Sequence, residues 1–240
     1  MQAADVLTLN ELNGWSGNMQ RYARDAGFRS ATLLDNGGSA YHVGAMTTHP
    51  HTVALQDCDA FQHGLLAIKC GGITILITHL CPGSARKRRD ETQRIVEIIE
   101  GIRGPVMLVG DLNTLSPLDR DVIARKEVLE TLRSTPALAR KFLNEEGMPD
   151  YEPMETLLSA GLEDVGANQR DRSTVPTPFN QDPAHALPLR LDYMLVNDAF
   201  LERWQPAVNV VKNPTTGGLS DHYPILCDAM PVHNDLEVAP

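Results

Sequence analysis

Short apolar segments bounded by Gly, Pro and Asn recur along this sequence, and few segments carry helical periodicity. Apolar runs of about four to eight residues between turn-forming residues are typical of β-strands. We expect strands at Val6 to Leu9, Ser30 to Leu34, Tyr41 to Met46, Gly64 to Cys70, Ile73 to His79, Val106 to Val109, Leu191 to Val196, Val208 to Val211 and Ile225 to Ala229. The sequence therefore predicts a mixed α/β fold in which strands outnumber helices.

One hairpin and several helices can be placed on this pattern. Gly71 and Gly72 separate two of the strands, and glycine supplies the positive φ angles that a two-residue antiparallel turn requires. A helix is expected from Ser84, which can cap its first turn, to Gly104-Pro105, which ends it. Two more helical stretches, read as part of an insertion, are expected at Arg120 to Glu145 and Met154 to Ala160.

The length and composition favour one domain. A chain of 240 residues with 42% hydrophobic content can bury a substantial core, and we expect a single domain over residues 1–230 with a flexible tail at 231–240. Asn168 to Pro188 is rich in Pro, Thr, Asn and Asp and predicts a long loop. Loops of that length in compact domains are usually functional or mobile.

Charge and cysteine content exclude several classes of protein. The 31 acidic and 21 basic residues give a net charge of -10, which disfavours general, sequence-blind binding of nucleic acid. The four cysteines form no CxxC pair, so we expect reduced thiols rather than a zinc knuckle or a disulfide framework. No signal segment and no transmembrane-length apolar run is present, which predicts a soluble, intracellular and cytoplasmic protein.

Polar residues follow two of the predicted strands. Asp111 and Asn113 come directly after Val106 to Val109, and their side chains point the same way if the chain stays extended. One could then orient a water while the other donates to a phosphate oxygen; an Asx-turn is the alternative. Glu11 follows Val6 to Leu9, where a carboxylate can hold a hard divalent cation or simply be solvated.

A second polar group lies in the C-terminal third. Asp192 lies within an apolar strand, where an acid is costly without a partner. His222 is the expected partner, because a carboxylate on one ring nitrogen fixes the tautomer and raises the basicity of the other. Asp221 can reach the same cation as Glu11. A polar turn capped by Ser220 and Asp221 is the alternative, but an acid, an amide and a base at strand ends are what metal-assisted phosphoester hydrolysis needs.

Five blocks of the chain resemble the endonuclease/exonuclease/phosphatase superfamily, the DNase I-like fold. They are Leu9-Asn10-Glu11-Leu12, Ile77-Thr78-His79-Leu80, Gly110-Asp111-Leu112-Asn113, Arg190-Leu191-Asp192-Tyr193 and Ser220-Asp221-His222, in the family's order. Each block alone is a weak pattern, whereas five in order are specific. The resemblance implies a two-layer β-sandwich flanked by helices. The family's usual first strand, with its asparagine, has no counterpart here, so we expect an N-terminally shortened version of that fold.

The resemblance also implies roles for individual residues. Glu11 and Asp221 match the family's metal-binding acids, and Asp111 and Asn113 match the pair that orients the attacking water and contacts the phosphate. His222 matches the histidine that acts as general base or stabilises the transition state, with Asp192 as its orienting acid. His79 matches a histidine near the leaving group in DNase I-like members; a strand-end histidine bonded to backbone is the equal alternative. Mg²⁺ is expected, with Mn²⁺ possible, because the ligands are oxygen donors.

The substrate is less constrained than the chemistry. Arg86 opens the one strong basic cluster, at a helix N-terminus that favours anions, so it is a candidate for binding substrate phosphate. A solvated helix face is the alternative. We expect a phosphoester substrate, either a small phosphodiester, a lipid headgroup or a nucleic acid, hydrolysed by a phosphodiesterase or phosphatase. A catalytically impaired fold that acts as a binding or scaffold protein is the competing hypothesis.

Overall fold

The computed structural model describes residues 4–232 of the chain. Its strands are β1 (Val6–Leu9), β2 (Ser30–Leu34), β3 (Val43–Thr47), β4 (Thr52–Asp57), β5 (Leu65–Cys70), β6 (Ile73–Thr78), β7 (Val106–Asp111), β8 (Leu162–Asp164), β9 (Asp192–Asn197), β10 (Trp204–Val210) and β11 (Ile225–Pro231). Its α-helices are α1 (Met19–Asp25), α2 (Ala85–Glu100), α3 (Arg120–Ile123), α4 (Lys126–Ser134), α5 (Pro136–Phe142), α6 (Glu152–Ser159) and α7 (Asp198–Leu201). A short 3₁₀ turn at Pro183–His185 lies within the long loop.

The strands form three sheets. The largest has six strands in the order β4-β5-β6-β7-β9-β8, the second has the order β1-β3-β2, and β10 pairs with β11. Strands β6 and β7 are parallel, whereas β9 runs antiparallel to β7. A parallel pair needs a long crossover, and here α2 supplies it. The C-terminal ends of β6 and β7 and the beginning of β9 therefore meet at one edge of the sheet.

Apolar side chains fill the space between the layers. One cluster joins the smaller sheet to the larger and includes Leu34 and Val43 with Leu66 and Ile77. A second cluster covers the opposite face of the large sheet, where α2 and α6 pack. Burying a side chain of this size stabilises the fold by roughly 1.5–3 kcal/mol. The predicted two-layer sandwich flanked by helices is confirmed.

The predicted hairpin is confirmed in detail. Strands β5 and β6 are antiparallel and close with Cys70 opposite Ile73. The two residues between them, Gly71 and Gly72, have φ angles of 59° and 79°. A turn with positive φ at both central positions matches the right-handed twist of the flanking strands.

The expected helix from Arg120 to Glu145 is wrong as a single element. The chain forms α3, α4 and α5 instead, with extended backbone at Arg125 and Thr135. Thr135 precedes Pro136, whose ring disfavours the helical conformation in the residue before it. The apolar periodicity continued across this break, which is why the sequence did not reveal it.

Some element boundaries also differ from expectation. Strand β3 begins at Val43, not Tyr41, and β4, β8, α1 and α7 were not predicted. Most residues of β4 are exposed, so it lacks the apolar run that marked the other strands. The first two residues of the expected flexible tail are ordered: Pro231 is the last residue of β11, and the Val232 N–H donates a hydrogen bond to the Arg203 carbonyl. The rest of the expected tail lies outside the described residues. Within residues 4–232, no helix is both long and apolar enough to cross a membrane.

Candidate active site

A cluster of acids and histidines lies where β6, β7 and β9 meet. Asp111 is the last residue of β7 and pairs in register with Asp192, the first residue of β9. His79 directly follows β6. Because β6 and β7 are parallel neighbours, His79 and Asp111 lie side by side, with Nε2 of His79 3.5 Å from Oδ2 of Asp111.

Gly110 permits this close approach of the two strand ends. Its φ angle is +139°, and a Cβ at this position would lie 1.9 Å from the carbonyl oxygen of Thr78. Real Cβ atoms do not come that close to backbone, so only glycine fits. The sequence Gly110-Asp111 therefore brings the carboxylate to the end of β6 without separating the strands.

Asn113 does not continue the strand as an extended residue, and that expectation is corrected. Its φ angle is 49°, and its backbone N–H donates to Oδ1 of Asp111 over 2.8 Å, which forms an Asx-turn. The turn aims the Asn113 amide inward, where Nδ2 donates to the Leu80 carbonyl over 3.0 Å. Its Oδ1 is buried without a hydrogen-bond partner. The Asx-turn and a site role are thus compatible, because the turn leaves one buried acceptor oxygen unused.

Asp192 and His222 form a hydrogen-bonded pair. The Nδ1–H of His222 donates to Oδ2 of Asp192 over 2.7 Å, and Nε2 lies 4.0 Å from Oδ2 of Asp111. Burial lowers the pKa of His222, but Asp192, Asp111 and Asp221 outweigh burial and raise the pKa to about 10. Burial tends to raise the pKa of Asp111, whereas His222 and His79 lower it, with a net lowering. These pKa shifts favour an imidazolium at His222 beside a carboxylate at Asp111 at neutral pH.

Asp221 lies on the other side of His222 and contacts a residue that the sequence did not single out. The Nδ1 atom of His185 lies 3.3 Å from Oδ2 of Asp221, and Nε2 of His185 lies 3.0 Å from the buried ammonium of Lys141. The hydrogen bond from His185 is the main cause that lowers the pKa of Asp221 to about 2. Lys141 belongs to α5 and His185 to the long loop, so no local motif marked either residue.

Glu11 lies at the rim of the cluster. Its Oε1 is 4.0 Å from Nδ1 of His79, and its side chain is about half exposed. Among the described residues, Glu11 and Asn113 are the non-glycine positions with positive φ, at 57° and 49°. Such conformations cost roughly 1–3 kcal/mol and concentrate at functional sites. Both strained positions were predicted as site residues from the sequence.

His79 is buried among other rings. It stacks on His63 with centroids 4.6 Å apart, and its Nδ1 has no hydrogen-bond partner. The alternative expectation for His79 was a hydrogen bond from its ring to the backbone, and Nδ1 makes no such bond. His63 is bonded to Ser39 over 2.7 Å, and burial, followed by the charge of His79, lowers the pKa of His63 to about 4.

The long loop 168–188 braces the site. The hydroxyl oxygen of Thr174 accepts hydrogen bonds from the backbone N–H groups of Leu191 and Asp192. The carbonyl oxygen of Thr174 accepts a hydrogen bond from the N–H of Tyr223. The hydroxyl of Thr177 donates to the Ser220 carbonyl over 2.5 Å. These bonds join the beginning of β9 to the Ser220-Asp221-His222 segment. The loop therefore holds together the two chain segments that carry Asp192 and His222.

Helix α2 uses most of its basic residues for structure. Arg88 is 1% exposed and donates to the carbonyls of Cys81, Pro82 and Lys141. Lys87 donates to the Ala60 carbonyl, and Arg89 pairs with Asp150 and Glu152. Arg86 is exposed and remains the member of this basic cluster that can meet a ligand; its binding of substrate stays a prediction.

Two groups of carboxylate and histidine side chains in this cluster could hold a metal ion. Ligand atoms of Asp111, Asp192 and His222 lie within 4.8 Å of one another, as do those of His185, Asp221 and His222. Glu11 belongs to neither group, and its contact with the cluster is the 4.0 Å approach of its Oε1 to Nδ1 of His79. The unpaired Oδ1 of Asn113 is a further buried oxygen in need of a partner. Carboxylate and amide oxygens are the ligands that Mg²⁺ and Mn²⁺ take in proteins.

Comparison with known sequences gives one match. The profile of the Endonuclease/Exonuclease/phosphatase family matches residues 1–222, which include all the predicted site residues. A search of curated proteins finds no significant match to this sequence.

Comparison with solved structures gives several matches of low identity. An AP endonuclease from Archaeoglobus fulgidus superposes with a TM-score of 0.67 at 15% identity, over 94% of this chain and 88% of that chain. A Neisseria 3′ phosphatase bound to product DNA hairpin has a TM-score of 0.64 at 16% identity, over 94% and 89%. A 3′-5′ exonuclease from Neisseria meningitidis has a TM-score of 0.62 at 15% identity, over 94% and 89%. At this identity the similarity establishes the fold.

Proposed function

The chain belongs to the Endonuclease/Exonuclease/phosphatase family, and from that premise we propose that it hydrolyses phosphoesters with a bound divalent cation. One observation carries the proposal: Asp111, Asp192 and His222, from three separate segments, converge within 4.8 Å. A carboxylate pair with an imidazole at a strand edge is poorly explained by folding stability, because burying charge is costly. It is well explained by a reaction that needs an acid, a base and charge stabilisation.

Glu11 and Asp221 are the residues that would hold the cation, with Mg²⁺ favoured and Mn²⁺ an alternative. When bound, a divalent cation neutralises negative charge on the phosphoryl oxygens. Support comes from the oxygen-donor chemistry of these side chains and from the unpaired buried Oδ1 of Asn113 nearby. Zn²⁺ is disfavoured because the proposed ligands, Glu11 and Asp221, are both oxygen donors.

Asp111 and His222 have complementary roles in this proposal. The low pKa of Asp111 keeps its Oδ2 anionic at neutral pH, so it can accept a hydrogen bond from the attacking water and orient it. The pKa of His222, about 10, makes Nε2 a donor at neutral pH. His222 thus fits stabilisation of charge that develops on the phosphoryl group better than proton removal from water. Asp192 keeps the ring in place through Nδ1.

Asn113 and His79 complete the proposed site. The Asx-turn presents the Asn113 amide beside Asp111, where it can contact a phosphate oxygen. His79 lies on the opposite side of Asp111 from the Asp192 pairing and is proposed to act near the leaving group. Arg86, exposed at the beginning of α2, is proposed to attract substrate phosphate.

The proposed substrate is a phosphoester, and nucleic acid is one candidate. The titles of two similar structures name an AP endonuclease and a phosphatase bound to a DNA hairpin. The net charge of -10 on this chain favours a substrate that carries few phosphates, such as a small diester, a lipid headgroup or a nucleic-acid end.

Hydrolysis of two generic substrates tests the proposal. Bis(p-nitrophenyl) phosphate and p-nitrophenyl phosphate are incubated with the purified chain in Mg²⁺, in Mn²⁺ and in EDTA, alongside Asp111→Asn. We expect turnover of at least one substrate that EDTA abolishes and that Asp111→Asn lowers by roughly 100-fold or more. A folded chain without turnover in either metal would contradict the proposal and favour a binding or scaffold role.

A further inference from the structure

Lys141 and His185 form a buried chain of contacts that ends on Asp221. The Lys141 ammonium lies 3.0 Å from Nε2 of His185, and Nδ1 of the same ring lies 3.3 Å from Oδ2 of Asp221. Lys141 is 6% exposed and His185 is 7% exposed. A lysine buried to this degree at an active-site edge needs a reason, because removing an ammonium from water is costly.

The direction of these hydrogen bonds follows from the chemistry of lysine. An ammonium group has three donors and no acceptor, so Nε2 of His185 must accept. The ring proton of a neutral imidazole then lies on Nδ1, and it donates to the Asp221 carboxylate. His185 therefore presents an N–H to Asp221 rather than a free lone pair. This assigns His185 as an outer partner of the carboxylate and not as a cation ligand, although its ring lies close enough to be one.

Both residues are themselves held in place. The backbone carbonyl of Lys141 accepts a hydrogen bond from the buried Arg88, which fixes α5 against the beginning of α2. The His185 backbone N–H donates to the Asp182 carbonyl over 3.0 Å, and the ring lies edge-on to His222 with centroids 4.7 Å apart. The chain of contacts thus begins on a helix held by Arg88 and passes through a hydrogen-bonded turn, so it can fix the orientation of Asp221.

We propose that Lys141 and His185 are positioning residues that hold the Asp221 carboxylate ready to bind a divalent cation. This inference rests on the proposed function, because it takes Asp221 as a ligand. Outer partners that orient ligating side chains are generally worth about 10–100-fold in metal affinity or activity. Here the outer partners come from the middle helices and the long loop, segments that none of the five sequence blocks covers.

Direct binding of Mn²⁺ tests the proposal without substrate. Mn²⁺ affinity of the full chain is measured by the loss of the free-ion EPR signal for wild type, His185→Phe, Lys141→Met and His185→Gln. We expect His185→Phe to weaken binding about 10-fold or more and Lys141→Met to weaken it several-fold. His185→Gln should recover most of the affinity, because an amide can accept from Lys141 and donate to Asp221.

Matched controls separate positioning from general structure. His51 is also bonded at both ring nitrogens, but its partners are Thr32 of β2 and Thr47 of β3 in the three-stranded sheet, so His51→Phe should leave Mn²⁺ affinity unchanged. Lys126→Met removes an exposed ammonium in the same way and should also have no effect. Circular dichroism establishes that each variant is folded, and His185→Leu replaces His185→Phe if the latter does not fold.

The outcomes distinguish this inference from the proposed function. Wild-type affinity in folded His185→Phe or in folded Lys141→Met overturns the positioning role while leaving the proposed function intact. Absence of Mn²⁺ binding by the wild-type chain overturns the proposed function, and the inference with it. In turnover assays, positioning predicts that the Mg²⁺ concentration for half-maximal rate rises more than the saturated rate falls.

Discussion

Nδ1 of His222 lies 2.7 Å from Oδ2 of Asp192, although 30 positions separate the two residues in the chain. The contact forms because Asp192 opens β9 at the sheet edge and the loop residues Thr174 and Thr177 bond to both chain segments. Both side chains are partly buried, with exposures of 19% for His222 and 16% for Asp192. Its geometry is therefore set by the fold rather than by local sequence.

Replacing Asp192 tests the value of this contact. We expect Asp192→Asn to lower turnover by roughly 10²–10⁴-fold, because the amide neither holds the same ring tautomer nor balances the imidazolium. In the metal-free protein, NMR titration should show the pKa of His222 well below its wild-type value of about 10. Asp228→Asn, on exposed β11, is the matched control and should change neither quantity. Wild-type turnover in Asp192→Asn would remove Asp192 from the mechanism.

Gly110 provides a test of how the site is built. In Gly110→Ala the new Cβ would meet the Thr78 carbonyl oxygen at 1.9 Å, so strands β6 and β7 must separate at their ends. We expect the free energy of unfolding to fall by more than about 3 kcal/mol, measured by urea denaturation. Gly104 also has a positive φ, +94°, but a Cβ there would meet nothing within 4 Å, so Gly104→Ala should cost only about 1 kcal/mol. Equal losses of unfolding free energy in Gly110→Ala and Gly104→Ala would contradict the close approach of Gly110 to the Thr78 carbonyl.

The lowered pKa of His63 predicts that the protein loses stability in mild acid. Burial and the neighbouring His79 lower its pKa from the usual 6.5 to about 4, so the folded state holds it neutral while the unfolded state binds a proton. Stability must then decrease as pH falls from about 6.5 towards 4, because protonation favours the unfolded chain across that window. Unfolding by urea at pH 7 and pH 5 should show a smaller decrease for His63→Gln than for wild type.

The exposed His49 gives the control for this pH effect. His49→Gln should lose as much stability as wild type between pH 7 and pH 5, because it leaves the buried His63 unchanged. The pKa of Asp221, about 2, places its own titration below this range, so it does not contribute. An equal decrease in His63→Gln and wild type would show that another group titrates in this window.

Much of the sandwich was predictable because its strands carry continuous apolar runs. Strands β1 and β2 have the expected bounds, and the Gly-Gly turn fixed the β5–β6 pairing. Strand β4 was missed because it is mostly exposed and so has no apolar run to detect. The middle helices were merged because apolar periodicity does not register the backbone break that Pro136 imposes on Thr135.

The candidate site was predictable only where its residues lie in the five sequence blocks. Asp111, Asp192 and His222 were expected together and lie within 4.8 Å of one another. Lys141 and His185 were missed, because each joins the site through tertiary contacts from segments that read as an ordinary helix and a polar loop. The Asx-turn at Asn113 was weighed against a site role, and the structure combines the turn with an inward-facing amide.

Hydrolysis of bis(p-nitrophenyl) phosphate by wild type and His222→Ala, each in Mg²⁺ and in EDTA, tests most directly whether this cluster is an active site. His51→Ala serves as the control for loss of a histidine bonded at both nitrogens away from the cluster. We expect turnover by wild type and His51→Ala that requires Mg²⁺, and a reduction of roughly 100-fold or more in folded His222→Ala. Turnover that persists in EDTA, or that is undiminished in His222→Ala, would contradict the proposed mechanism.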